Sequence, residues 1–161
     1  MTRAAVSLGS NLGDRAANIA AALAAMSAFP ETRLVAASSV IETEPVDVPP
    51  EYAGLKFLNQ AAVFETGLSA DDFSRRMHEV EDALGRVRTV RNGPRTIDID
   101  LIDFGGIVRN DLELTLPHPR AKERDFVTRP LGEIGVCLPD GSPAHVPAAC
   151  AAIDLRGGKR I

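Results

Sequence analysis

The chain opens on a short apolar run, Ala4 to Leu8, which gives way at Gly9-Ser10-Asn11-Leu12-Gly13-Asp14 to turn residues and a helix cap. That order predicts strand, loop, helix. From Arg15 the apolar positions Ile19, Leu23 and Met26 recur at helical spacing until Phe29-Pro30, where proline cannot continue the hydrogen-bond ladder. Arg33 to Thr43, rich in Val, Ile, Ser and Thr, predicts a second strand, and the three prolines and one glycine between Glu44 and Lys56 predict a long loop. Loops of that length inside compact domains are usually functional. Phe57 to Thr66 is a third β-like run. Ser69 then caps a helix whose apolar stripe is Phe73, Met77, Val80 and Leu84, and Gly85 ends it. After an arginine-rich segment, Ile97 to Phe104 alternates apolar and polar residues, the mark of a half-buried strand, and Gly105-Gly106 turns the chain toward Ile107-Val108. A further short helix is expected over Phe126 to Ile134.

The order β, α, β, β, α, β matches the ferredoxin-like arrangement of the α+β class. Its antiparallel sheet carries both helices on one face and leaves the other for a ligand. A length of 161 residues, with no internal repeat, low-complexity tract or dividing linker, predicts a single domain over 1–161. Cys137 and Cys150 lack the spacing of a zinc site or a disulfide framework, which fits a reducing cytoplasm. The apolar stretch after Met1-Thr2-Arg3, broken by Ser7 and Gly9, is too short for a signal segment or a membrane span. A formal charge of −4 argues against broad electrostatic binding to nucleic acid. The arginines nevertheless cluster, Arg86, Arg88, Arg91 and Arg95 in one segment and Arg120, Arg124 and Arg129 with Lys122 in another. Concentrated guanidinium groups on an acidic protein suit a compact polyanion such as a nucleotide triphosphate, although two solvated faces would look the same.

Asp98 and Asp100 stand two residues apart in a predicted strand, so both side chains leave the same face while Ile97, Ile99 and Leu101 enter the core. Their Cα atoms should lie about 6.6 Å apart, close enough to serve a pair of metal ions roughly 3.5 to 4 Å apart. Hard carboxylate oxygens suit magnesium, which completes its shell with water and substrate phosphates. Gly93-Pro94-Arg95-Thr96 places a rigid turn and a guanidinium just before that strand. An amphipathic strand with no metal would show the same alternation.

The run Gly93-Pro94-Arg95-Thr96-Ile97-Asp98-Ile99-Asp100 resembles the signature of the hydroxymethyldihydropterin pyrophosphokinases. Other landmarks agree in order: Leu8-Gly9-Ser10-Asn11-Leu12-Gly13, Thr43-Glu44-Pro45, Phe57-Leu58-Asn59, Gly85-Arg86-Val87-Arg88, Leu116-Pro117-His118-Pro119, Arg124-Asp125-Phe126 and Arg129-Pro130-Leu131. The resemblance spans roughly residues 4 to 135. It implies a ferredoxin-like fold, ATP as donor, 6-hydroxymethyl-7,8-dihydropterin as acceptor, two Mg2+ ions held by Asp98 and Asp100, and AMP as by-product. It further implies that Phe57 and Phe126 sandwich the pterin while Thr43 and Asn59 read its polar edge. Flat heterocycles are held in this way by stacking and a few convergent hydrogen bonds. Without the resemblance, core packing would account for both phenylalanines.

Carried over residue by residue, Arg88, Arg95, Thr115, His118 and Arg124 would contact ATP, and Arg86 and Arg95 would stabilise charge on the transferring group. His78 lies near the nucleotide side in the family pattern, and surface solvation explains it equally well. Aspartates bound to magnesium are poor proton acceptors, so the general base stays unassigned. Two departures stand out. Asn92 occupies a place where many members carry tryptophan, and Glu113 one where a basic residue often helps hold nucleotide. The resemblance also favours a monomer. A palm-like two-metal nucleotidyl enzyme and a non-catalytic binding module on the same fold remain open alternatives.

Overall fold

The computed structural model describes residues 1–45, 48–85 and 96–136. Strand β1 (Thr2–Ser10) lies inside the sheet, between β4 (Phe57–Thr66) and β5 (Asp98–Phe104). Its residues suit that place. Ala4, Val6 and Leu8 are buried on one face and Ala5, Ser7 and Gly9 point to the other, small enough for a second layer to pack close. β2 (Thr32–Ala37) and β3 (Ile41–Thr43) pair with the far edge of β4, giving the order β2-β4-β1-β5 with every pairing antiparallel. This is the expected α+β, ferredoxin-like sheet.

Helices α1 (Arg15–Ser27) and α2 (Ala70–Ala83) cover the first face. Asp14 caps α1 by accepting from the Ala17 amide at 3.1 Å, and Ser69 caps α2 by accepting from Asp72 at 3.1 Å, so each satisfies an amide the helix cannot. Gly85, at φ +86°, ends α2 in the left-handed conformation that glycine adopts without strain. Phe73 on α2 sits at the centre of the core. Its ring lies 5.6, 6.1 and 6.0 Å from those of Phe29, Phe64 and Phe104.

The fold departs from the sequence pattern in several places. The stretch from Arg33 to Thr43 is not one strand but two, because Ser38 interrupts it. Its hydroxyl accepts from the Ala61 amide at 2.9 Å while its own amide donates to the Ala61 carbonyl, so the side chain replaces a ladder bond. Ile107 and Val108 are not strand. The short hairpin forms just beyond them, from β6 (Arg109–Asn110) and β7 (Thr115–Leu116). Nor is the second face wholly open. Helix α3 (Asp125–Glu133) lies against it, packing Val127 and Leu131 on Ala5, Ala61 and Val63, so among the described residues the uncovered part of this face is the end of the sheet beyond Ala5. Alternation in β5 also breaks near its end. A register shift opposite Ala5 and Val6 sends both Ile102 and Asp103 toward the α3 side, where each is fully buried.

Candidate active site

Residues that face α3 on β1 continue past it as Ser7 and Gly9, and the strand register assembles a surface around them. Gly9 lies opposite Asn59 on β4 and opposite Asp98 on β5, while Ser7 lies opposite Asp100. Asp98 and Asp100 are half-exposed, and the intervening Ile99 is buried with Ile97 on the helix side. The expected division of β5 between carboxylates and core therefore holds over its first half. Gly9 is needed here for space rather than for backbone freedom. A Cβ at this position would stand 2.9 Å from Asn59 Oδ1 and 3.5 Å from the Phe57 ring, so these two side chains lie directly over the glycine.

Asn59 is 3% exposed and donates through Nδ2 to Thr43 Oγ1 at 2.6 Å, which fixes the plane of its amide. Thr43 reaches it because β3 pairs with the first residues of β4, setting Thr43 opposite Phe57. Phe57, Asn59 and Thr43 thus share the sheet face of the two aspartates. Phe126, on the first turn of α3, lines a cleft of about 510 Å³ together with Thr43, and the charges around it are mixed, Lys56, Arg120, Arg124 and Arg129 against Glu42, Glu44, Glu123 and Asp125. The Arg124 guanidinium stands 5.5 Å from the centre of the Phe126 ring, a cation–π contact that holds charge and aromatic face together. Arg15 donates to the Lys56 carbonyl at 3.0 Å and pairs with Glu42 at 3.0 Å, tying the end of the long loop to the cleft wall.

His118 joins the site from the connection between β7 and α3. Its amide donates to the Ile102 carbonyl at 2.9 Å, which ties this connection to β5. Nδ1 accepts from the Arg120 amide at 3.2 Å, so the proton of the neutral ring sits on Nε2, 4.0 Å from Asp100 Oδ1. Burial, reinforced by the nearby Arg124 charge, holds the imidazole below its ordinary value of 6.5. The ring is therefore a neutral donor at pH 7.

The fold thus brings together Thr43, Phe57, Asn59, Asp98, Asp100, His118, Arg124 and Phe126. Thr115 is half-exposed in β7, opposite Asn110. Glu113 is exposed in the preceding turn, its amide donating to Asp111 Oδ1 at 3.1 Å. Arg86, Arg88, Asn92 and Arg95 lie outside the described residues. Sequence reasoning missed Lys56 as a lining residue, and it missed Glu81. Glu81 falls four residues after Met77 and three before Leu84, on the buried stripe of α2, and a carboxylate at such a position is a signal that sequence alone offers. His78, left open between solvent and site, stands with Nδ1 2.9 Å from Glu81 Oε1.

A ferredoxin-like sheet with paired carboxylates, beside a cleft lined by four basic and four acidic side chains and by Phe126, has the make-up of a small enzyme domain. Residues 5–136 match the model of the 7,8-dihydro-6-hydroxymethylpterin-pyrophosphokinase (HPPK) family, and the chain belongs to that family. It is 41% identical over 162 residues to the 2-amino-4-hydroxy-6-hydroxymethyldihydropteridine pyrophosphokinase of Methylorubrum extorquens, covering 100% of this chain and 99% of the relative. The enzyme of the same name from Pseudomonas aeruginosa is 37% identical over 164 residues, covering 99% and 96%. Among solved structures, an HPPK-DHPS crystallised in complex with substrates superposes with a TM-score of 0.62 at 12% identity. That match covers 92% of this chain and 41% of the solved one, and it speaks to the fold alone.

Proposed function

We propose that this chain transfers pyrophosphate from ATP to 6-hydroxymethyl-7,8-dihydropterin in folate synthesis, releasing AMP, with two magnesium ions held at Asp98 and Asp100. The observation that carries this reading is the register around Gly9, which has Asn59 on one side and Asp98 on the other. Two strand spacings, about 9.6 Å, separate a ring-reading amide from a carboxylate. That span suits a bicyclic heterocycle with its hydroxymethyl arm directed toward the phosphates.

The donor set fits magnesium. Asp98 and Asp100 offer hard oxygens on one face, and among the described residues no group of three or more His, Cys, Asp or Glu side chains forms a closed cage. Magnesium characteristically takes one or two carboxylates and leaves the rest of its shell to water and phosphate. Bound there, it would neutralise the phosphate charge and acidify the attacking hydroxyl.

The residues divide the remaining work. Phe57 and Phe126 stack the pterin, and Asn59 with Thr43 reads its polar edge. Arg124 and Lys56 meet the phosphate charge from the cleft wall. His118, neutral with its proton on Nε2, donates to a phosphate oxygen without adding charge beside Asp100. The pterin hydroxymethyl oxygen attacks the β-phosphorus and AMP leaves in line, so holding both reactants is most of the catalysis. Arg86, Arg88 and Arg95 complete the phosphate contacts in this proposal, and Thr115 adds a hydroxyl from β7. Among the described residues no helix is long and apolar enough to cross a membrane. The enzyme acts as a monomer in the cytoplasm on these two small substrates.

Incubation with ATP, magnesium and the hydroxymethyl pterin, followed by separation of the nucleotides, tests the reading. AMP is expected, and ADP would make the protein an ordinary kinase. Asp98→Ala and Asp100→Ala should each lower turnover by at least about 100-fold with the fold intact by circular dichroism. Full activity in both would remove the metal-holding role.

A further inference from the structure

Glu81 is 1% exposed, and its carboxylate reaches beyond the helix that carries it. Oε2 accepts the backbone amide of Ile99 at 2.9 Å, and Oε1 stands 2.9 Å from His78 Nδ1. Ile99 is the residue between Asp98 and Asp100. Among the described residues β5 pairs with β1 alone, and the Ile99 amide, turned away from β1, takes the side chain in place of a ladder partner.

That amide belongs to the peptide plane joining Asp98 to Ile99. Anchoring the plane fixes ψ of Asp98 and φ of Ile99, and with them the direction in which the Asp98 side chain leaves the sheet. The need is local. Asp98 is the first residue of β5, and the register shift follows only a few residues later, so regular pairing holds Asp98 through a short stretch at a fraying end. Burying a carboxylate is costly, and an apolar residue of similar volume at such a site is often neutral or stabilising. Burial raises the Glu81 carboxyl above its ordinary value, so stability alone does not account for the choice of residue.

We propose that Glu81 is a positioning residue for the pyrophosphokinase reaction: by accepting the Ile99 amide from α2 it fixes the orientation in which Asp98 and Asp100 meet the metal-bound phosphates. This rests on the reaction proposed above. Glu81 itself touches neither substrate, and acts through the strand.

Glu81→Met keeps the volume and removes the acceptor, whereas Glu81→Gln keeps an acceptor oxygen for Ile99. In metal-free, nucleotide-free protein, amide exchange followed by NMR should be at least about 10-fold faster at Ile99 in Glu81→Met and unchanged in Glu81→Gln, that is, an opening about 1.4 kcal/mol easier. With ATP and magnesium, Glu81→Met should lower kcat at least about 10-fold at unchanged pterin KM, and Glu81→Gln should recover to within about 3-fold of wild type. Wild-type kcat in Glu81→Met overturns the role, and so does a Glu81→Gln enzyme as slow as Glu81→Met with Ile99 still protected. If neither Glu81→Met nor Glu81→Ala folds, the residue serves stability and the role is likewise overturned. Wild-type protein that forms no AMP overturns the reaction and this role with it, whereas a loss confined to Glu81→Met leaves the reaction standing.

Discussion

Replacing Gly9 by alanine exchanges a hydrogen for a methyl group at the floor of the site, and the structure says where it goes. The new Cβ would lie 2.9 Å from Asn59 Oδ1, so Asn59 must retreat about 0.5 Å to restore an ordinary 3.4 Å contact. It has little room to do so, because it is 3% exposed and its Nδ2 already donates to Thr43 at 2.6 Å. Either that hydrogen bond stretches or the amide swings toward the space proposed for the pterin. Loss of the bond costs about 1 kcal/mol, and a small misplacement of a reading group costs up to about 100-fold in rate. Gly9→Ala should therefore raise the pterin Kd by about 10-fold, measured by calorimetry. Binding of ATP with magnesium in the absence of pterin should stay within about 2-fold of wild type. The expected loss of global stability is smaller than that of a core cavity, about 1 to 2 kcal/mol by urea denaturation. A Gly9→Ala protein that binds pterin as tightly as wild type would refute the reasoning, since it would mean that Asn59 yields freely or does not meet the ring.

Phe73→Ala removes the ring on which Phe29, Phe64 and Phe104 converge and should cost about 3 to 5 kcal/mol, read from the urea midpoint; a loss under about 1 kcal/mol would mean that the site collapses around the cavity. Glu133 accepts from the Ser39 amide at 2.8 Å and the Ser39 hydroxyl at 2.7 Å, joining α3 to the break between β2 and β3, and these bonds hold its carboxyl below the ordinary 4.5. Because the folded value is depressed, the stabilisation is full above the unfolded value and is lost as pH falls through the folded one. The melting temperature of wild type should accordingly exceed that of Glu133→Gln at pH 7 and converge with it as the pH drops below about 4.3. A gap that stays constant to pH 3 would contradict the assignment.

Much of the architecture was legible because local chemistry and tertiary demand agree. The caps at Asp14 and Ser69, the stop at Phe29-Pro30 and the stripe of Phe73, Met77 and Val80 each follow from a single-residue property. The breaks were not legible for the opposite reason. Ser38 reads as a tolerable strand residue, and only the neighbouring Ala61 backbone makes its hydroxyl a substitute for a ladder bond. Ile102 and Asp103 already reverse the alternation of β5 in sequence, but only the pairing with β1 shows that a register shift turns both to one side.

The sequence by itself determined that Asp98 and Asp100 leave one face of a strand, since period-two geometry needs nothing beyond the chain. It also carried, through its motifs, the family to which the protein belongs. Only the tertiary structure decided which residues those carboxylates would meet. Gly9 stands about 50 residues from Asn59 and about 90 from Asp98 in sequence, and antiparallel register sets it opposite both. The role of Glu81 was likewise fixed in space, because the partner of an amide turned away from β1 is chosen by the helix packed beside it and not by any neighbour in the chain.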